Sequence, residues 1–142
     1  MHYLGFVFVA EPTEKAVAEA MGAHKGSEWD WYRCGGRYDG YLQGADEMER
    51  RSTENGFNFS SENEKAAKNF CKVCDLPEGM KPYFFVSDYD FVPREYYNKF
   101  EKSSYHTEFF GAILDTPYWQ ERWEAALKKY ADKYIVVVDA HN

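Results

Sequence analysis

The chain has 142 residues, the length of one ordinary domain with a core of its own, and its 44% hydrophobic and 29% charged content excludes a disordered or fibrous protein. The formal net charge is -7, from 17 Lys and Arg against 24 Asp and Glu. Most of such a surface repels a phosphate backbone, which disfavours conventional nucleic-acid binding unless basic residues gather on one face.

Tyr3 to Val9 is a β-branched and aromatic run that stops at Glu11-Pro12, and it predicts the first strand. Thr13 to Met21 puts Ala16, Val17, Ala20 and Met21 on one side of a helix that Gly22 stops. From Trp29 to Leu42 aromatic residues recur, but Gly35, Gly36 and Gly40 interrupt any uniform strand, so a bent or bulged strand or a hairpin is expected. Gln43 to Ser61 is polar, with a short helical pattern over Asp46 to Arg51 and a loop at Asn55-Gly56. Ser60 or Ser61 is placed to cap a second helix over Glu62 to Cys74, where Ala66, Ala67, Phe70, Val73 and Cys74 have helical spacing.

Pro82 to Val86 reads as a strand, turned by Asp88-Tyr89-Asp90 into Phe91-Val92, with Pro93 marking an edge. Arg94 to Phe110 carries no assignable pattern. Asp115 or Thr116 caps the last helix, with Pro117 in its first turn and Trp119, Trp123, Ala126, Leu127 and Tyr130 along one stripe. Tyr134 to Val138 is a continuous apolar run of strand length, which implies burial on both faces in the middle of a sheet. The sum is one α+β domain over residues 1–142. We expect a single-domain sandwich with a mixed or antiparallel sheet of four to five strands and three helices, a ferredoxin-like variant among the options. No apolar run approaches the roughly 18 to 20 residues needed to cross a bilayer. Met1 to Ala10 has no basic region ahead of its apolar stretch, so a cytoplasmic protein is expected.

Four groups of residues carry chemistry. Gly35 and Gly36 let backbone N–H groups approach an anion that the Arg37 guanidinium would grip, although the known nucleotide-binding spacings are missing. The competing reading is a tight turn in which Arg37 pairs with Asp30 or Asp39. Asp139 and His141 alternate onto the same side of the last strand, as an acid and base pair or half of a metal site. Gly35, Gly36, Arg37, Tyr38, Asp139 and His141 are therefore the candidate ligand-binding residues. Cys71 and Cys74 have the C-x-x-C spacing, but with only Cys34 and the scattered His2, His24, His106 and His141 to complete a zinc site they read as structural thiols on one helix face. No metal, cofactor or catalytic residue is assigned.

The fourth group is acidic: Asp46, Glu47 and Glu49, then Glu62 and Glu64, then Asp88 and Asp90 around Tyr89, a spaced row of negative charge. Aromatics make up 19% of the chain, more than a core of this size takes in, and Tyr and Trp suit recognition surfaces.

The stretch WDWYRCGGRYDGYL resembles the signature D-W-Y-x-x-G-G-R-[WY]-x-G of a family of small bacteriophage and prophage proteins, and IVVVDAHN is similar to that family's closing V-V-D-C-H strand. Lys81 to Val86 is similar to its penultimate strand. Asp30, Trp31, Tyr32, Gly35, Gly36, Arg37, Tyr38, Gly40, Asp139 and His141 match family positions. Ala140 stands where the family often has Cys, and the stretch from Asp46 to Asn69 is this chain's own. The resemblance implies a viral accessory context without a mechanism. The first expectation is therefore a phage-type accessory protein that inhibits a host defence complex, such as a CRISPR effector, by stoichiometric binding. Its acidic and aromatic surface would dock on the partner's basic nucleic-acid-binding groove, with no direct contact to nucleic acid or membrane. The alternative is a protein that binds, and conceivably processes, a small anionic ligand or nucleotide, with Arg37 at the anion.

Overall fold

Two strands whose residues are apolar on both faces form the centre of the structure: β1 (His2–Val9) and β8 (Tyr134–His141) pair antiparallel along their whole length, from His2 opposite His141 to Val9 opposite Tyr134. The computed structural model describes residues 2–22, 29–44, 69–98, 111–114 and 117–141. Around the central pair lie β2 (Trp31–Cys34), β3 (Phe70–Lys72), β4 (Phe84–Ser87) and β5 (Asp90–Pro93), in the order β2-β8-β1-β4-β5, with β3 also on β8. The sheet is mixed, because β4 runs parallel to β1 while every other pair is antiparallel. A separate two-stranded ladder joins β6 (Glu95–Asn98) to β7 (Gly111–Leu114), within and just beyond the stretch that had no assignable pattern.

The α+β class and the mixed sheet are as expected, with six strands in the main sheet in place of four to five. Helix α1 (Glu14–Gly22) and helix α2 (Pro117–Lys129) lie on opposite faces, so the arrangement departs from the ferredoxin-like option. Even-numbered positions of β1 and odd-numbered positions of β8 face α2: Phe6, Phe8, Ile135 and Val137 pack with Phe85, Trp119, Trp123 and Ala126. The alternate positions Val7, Val9, Val136, Val138 and Ala140 face α1 through Val17 and Met21, joined by Trp29 and Phe84. Each helix shows its sequence logic. The Thr13 hydroxyl accepts the Ala16 N–H at 3.1 Å and caps α1, while Pro117 opens α2, where its missing N–H costs nothing. The Trp119 and Trp123 rings stack at 5.4 Å, one turn apart on the buried stripe.

The second predicted helix is corrected in its described part. Phe70–Lys72 is strand β3 and Val73–Asp75 a single 3-10 turn, while residues 62–68 lie outside the described residues. Phe70 and Cys71 fill an edge position on β8 opposite Val136 and Ile135, and this pairing overrides the helical spacing of the apolar residues. Cys71 and Cys74 therefore do not share a helix face: Cys71 is half-buried against the α2-side core and Cys74 is exposed. The helical pattern over Asp46 to Arg51 and the Asn55-Gly56 loop lie outside the described residues. The β4–β5 hairpin forms as expected, its turn made by Asp88 and Tyr89 at φ 51° and 66°, and Pro93 lies on an edge strand. No described helix is long and apolar enough to cross a membrane.

Candidate functional site

The edge of the sheet beside β8 is one strand broken in two. β2 follows β8 from Trp31 opposite His141 to Cys34 opposite Val138, and β3 resumes with Phe70 opposite Val136. At the break, both ladder bonds of Val137 are kept by different residues. Gly35 donates its N–H to the Val137 carbonyl at 2.8 Å, and Val137 donates to the Asn69 carbonyl at 2.8 Å. The chain thus leaves the edge at Gly35 on an excursion and is back on it at Asn69, where one edge residue would otherwise sit.

The described start of that excursion turns back over the α2 face of the sheet in two 3-10 turns, Gly36–Tyr38 and Tyr41–Gln43, with Leu42 buried in the core. Gly35 and Gly36 have φ of 74° and 56°, the left-handed region in which a side chain is strained. A Cβ on Gly36 would overlap the Asp139 side chain, and one on Gly35 would overlap the Asn69 amide. Asn69, 1% exposed, fastens the base of the excursion: its Nδ2 donates to Asp39 Oδ1 at 2.6 Å and its Oδ1 accepts the Gly40 N–H at 3.1 Å. The close approach of backbone to an anion expected at the double glycine does occur, but the anion is internal. Asp139 Oδ2 accepts the Arg37 N–H at 3.0 Å, so Arg37 contributes its backbone here and its side chain is exposed.

On the α2 face both central strands change from apolar to polar at the same end. β8 runs Ile135, Val137, Asp139, His141, and β1 runs Phe8, Phe6, Leu4, His2. Asp139 and His141 share that face as expected, yet they do not pair with each other. In the register His2 lies opposite His141 and Leu4 opposite Asp139, so the His2–Asp139 contact runs diagonally across the β1–β8 ladder, while Asp30 reaches His141 from the position just before β2. Asp139, 1% exposed, accepts from His2 Nδ1 at 2.7 Å, and Asp30 accepts from His141 Nδ1 at 2.9 Å. An ionised carboxylate only accepts, so both imidazoles carry a proton on Nδ1. The hydrogen bond from His141 holds the Asp30 carboxyl below its ordinary range.

The two imidazole rings are 5.1 Å apart, and Trp31 joins them, stacked on His141 at 4.9 Å with ring planes 5° apart and edge-on to His2 at 5.4 Å. Arg33 lies over the Trp31 ring at 5.6 Å, and the Tyr38 hydroxyl donates to the His2 carbonyl at 3.3 Å.

All six predicted ligand-site residues, Gly35, Gly36, Arg37, Tyr38, Asp139 and His141, therefore meet at one end of the sheet. His2, as Asp139's partner, and Asn69, as the clasp of the excursion, were not among them. His2 was legible in the alternation of β1, where polarity appears at the same end as in β8. Asn69 gave no local signal, because its partners Asp39 and Gly40 lie about thirty positions away.

The acidic row does not join this site. Asp46, Glu47, Glu49, Glu62 and Glu64 lie outside the described residues. Asp88, Tyr89 and Asp90 sit at the opposite end of the sheet, where Tyr89 is exposed, Asp88 bonds Lys129 and Tyr130, and Asp90 pairs with Arg122 at 3.2 Å. Among the described residues no group of three or more His, Cys, Asp or Glu side chains is arranged to hold a metal ion. Compared with known proteins, the chain matches no family model, no curated protein and no solved structure.

Proposed function

We propose that this chain binds a small anionic ligand at the polar end of its sheet, between His2 and His141. The observation that carries this reading is the pair of imidazoles, each fixed through Nδ1 by its own carboxylate, with rings 5.1 Å apart. Imidazole N–H groups donate to anions, so two adjacent rings offer a pair of donors to one small anion. The side chains of His2 and His141 are 18% and 31% exposed, open enough to be reached from solvent. Arg33 and Arg37 add cations on the same edge, while the Asp139 charge is buried behind His2 and the Arg37 N–H.

The stoichiometric-inhibitor reading depends on unneutralised acidic surface. In its described part, both Asp88 and Asp90 face cations of α2, which weakens the field a basic groove would meet. The anion-binding reading is tested by following the imidazole C–H signals of His2 and His141 by NMR while titrating inorganic phosphate and a nucleoside 3′-monophosphate. Both rings should shift together as phosphate is added, and saturably. Saturating phosphate that moves neither ring would refute it.

A further inference from the structure

We infer that the ligand is a nucleoside monophosphate whose base stacks on the Trp31 indole while its phosphate meets the two imidazoles. The phosphate end rests on the anion-binding reading, whereas the base end rests on Trp31 and adds a ligand class to that reading. Trp29, Trp119 and Trp123 are buried, but Trp31 is 39% exposed. A large rigid ring left in water beside a polar cluster has apolar area still to bury, and a ligand can cover it.

The indole is held in place before any ligand arrives. Asp30 Oδ1 accepts the Trp31 backbone N–H at 3.0 Å and also the bond from His141 Nδ1 at 2.9 Å, so one carboxylate oxygen ties both members of the stack. His141 lies flat against the indole at 4.9 Å with planes 5° apart, and His2 stands edge-on to it at 5.4 Å. Among the described residues β2 is an edge strand, so β8 borders Trp31 on one side only. A planar heterocycle can therefore extend the stack outward from the sheet on a preorganised platform. Arg33, 5.6 Å from the indole centroid, adds positive charge beside the same ring. The centroids of His2, His141 and Trp31 form a nearly equilateral triangle with sides of 5.1, 4.9 and 5.4 Å. One ribose can thus join a base on the indole to a phosphate at the imidazoles. Net charge -7 selects for size: a single phosphate meets little of the acidic surface, whereas an RNA chain meets most of it.

The test titrates the full chain with inorganic phosphate, ribose 5-phosphate and adenosine 5′-monophosphate, following the His2 and His141 ring signals and the Trp31 indole N–H by NMR. All three probes should shift the histidines, and the nucleotide should also shift the Trp31 signal. The nucleotide should bind at least about tenfold more tightly than ribose 5-phosphate. Trp31→Leu should bring that ratio close to one, and Trp31→Phe, which keeps a ring, should hold an intermediate ratio. A ratio near one in the wild type, or a full ratio kept in Trp31→Leu, overturns the stack and leaves the anion-binding reading standing wherever phosphate still shifts both histidines. Histidines that respond to none of the three probes overturn both. A short oligoribonucleotide that binds more tightly than the mononucleotide overturns the assignment to a mononucleotide.

Discussion

Replacing Asp139 by Asn keeps the shape of the buried side chain and removes its charge, which separates packing from electrostatics at the centre of the site. The carboxylate is 1% exposed and accepts two hydrogen bonds, from His2 Nδ1 at 2.7 Å and from the Arg37 N–H at 3.0 Å. The Asn carbonyl can still accept from Arg37, but its NH2 then faces His2, whose Nδ1 must give up its proton and become the acceptor. Hydrogen bonds to a charged group contribute about 1.5–3 kcal/mol and those between neutral groups about 1 kcal/mol, so the substitution should cost about 1–3 kcal/mol. At this chain length that lowers Tm by roughly 3–9 °C. Asp139→Ala strands both donors in a buried place and should cost about 3–5 kcal/mol, or roughly 10–15 °C.

The assay is a thermal melt of both variants, with 15N imidazole shifts of His2 reporting the tautomer. Wild type should carry the proton on Nδ1, and Asp139→Asn should move it to Nε2. An Asp139→Asn protein that melts within about 1 °C of wild type, with the His2 tautomer unchanged, would show that the carboxylate does not hold the ring and would refute the reasoning.

The double glycine gives a graded test by melting. Gly36→Ala combines left-handed strain with overlap on Asp139 and should lose about 2–5 kcal/mol, Gly79→Ala has the strain alone at φ 84° and should lose about 1–2 kcal/mol, and Gly22→Ala at the end of α1 meets nothing and should gain about 0.5 kcal/mol. Equal losses at Gly36 and Gly79 would remove the steric argument. Burial pushes the Cys34 and Cys71 thiols up to about 11, so alkylation at mildly alkaline pH followed by mass spectrometry should label exposed Cys74 first. Burial, with a hydrogen bond to Asp88, also raises the Tyr130 hydroxyl to about 12. The unfolded chain ionises these groups before the folded one does, so stability should stay level up to about pH 9 and fall as pH rises through about 9 to 12, as a denaturant series across that range would show. The hydrogen bonds from Lys129 and Tyr130 lower the Asp88 carboxyl below its ordinary 3.8, so its contribution is present above that value and is lost as pH falls below it. Lys129→Met should therefore flatten the acid limb of the stability curve.

Where local pattern and tertiary context agree, the elements are legible in the residues. Tyr134 to Val138 reads as a central strand because no face of it is polar, and the Trp119, Trp123 and Ala126 stripe reads as a buried helix face. The Asp88-Tyr89 turn is legible from its flanking strands, although a Tyr at φ 66° is not what local preference would place there. The Phe70 to Cys74 segment reads wrongly because its apolar spacing fits a helix, while the vacant edge of β8 opposite Ile135 and Val136 gains more from a strand. The broken edge strand is illegible for a related reason. Its two halves are specified by a ladder on β8, and nothing near Gly35 says that Asn69 will complete it. At the site, the alternation of β8 gives Asp139 and His141, but their partners come from elsewhere in the chain: His2 reaches Asp139 diagonally across the β1–β8 ladder, and Asp30 reaches His141 from just before β2.

The break in the edge strand also accounts for how a buried carboxylate has both its oxygens hydrogen-bonded. A continuous edge strand would leave Asp139 with His2 at Oδ1 but without the Arg37 N–H at Oδ2. Because the chain leaves the edge at Gly35 and turns over the α2 face at Gly36, the Arg37 N–H arrives above Asp139 Oδ2, while β1 delivers His2 to Oδ1. The excursion thereby closes the apolar core at Leu42 and, in the same turn, secures the group that orients His2. Core stability and site geometry are coupled through that one side chain. A substitution that loosens the Asn69 clasp, such as Asn69→Ala, should therefore both lower Tm and broaden the His2 imidazole signals, although Asn69 itself bonds to the excursion and not to His2. Sharp, unshifted His2 signals in a destabilised Asn69→Ala protein would mean that the ring is held by the sheet alone.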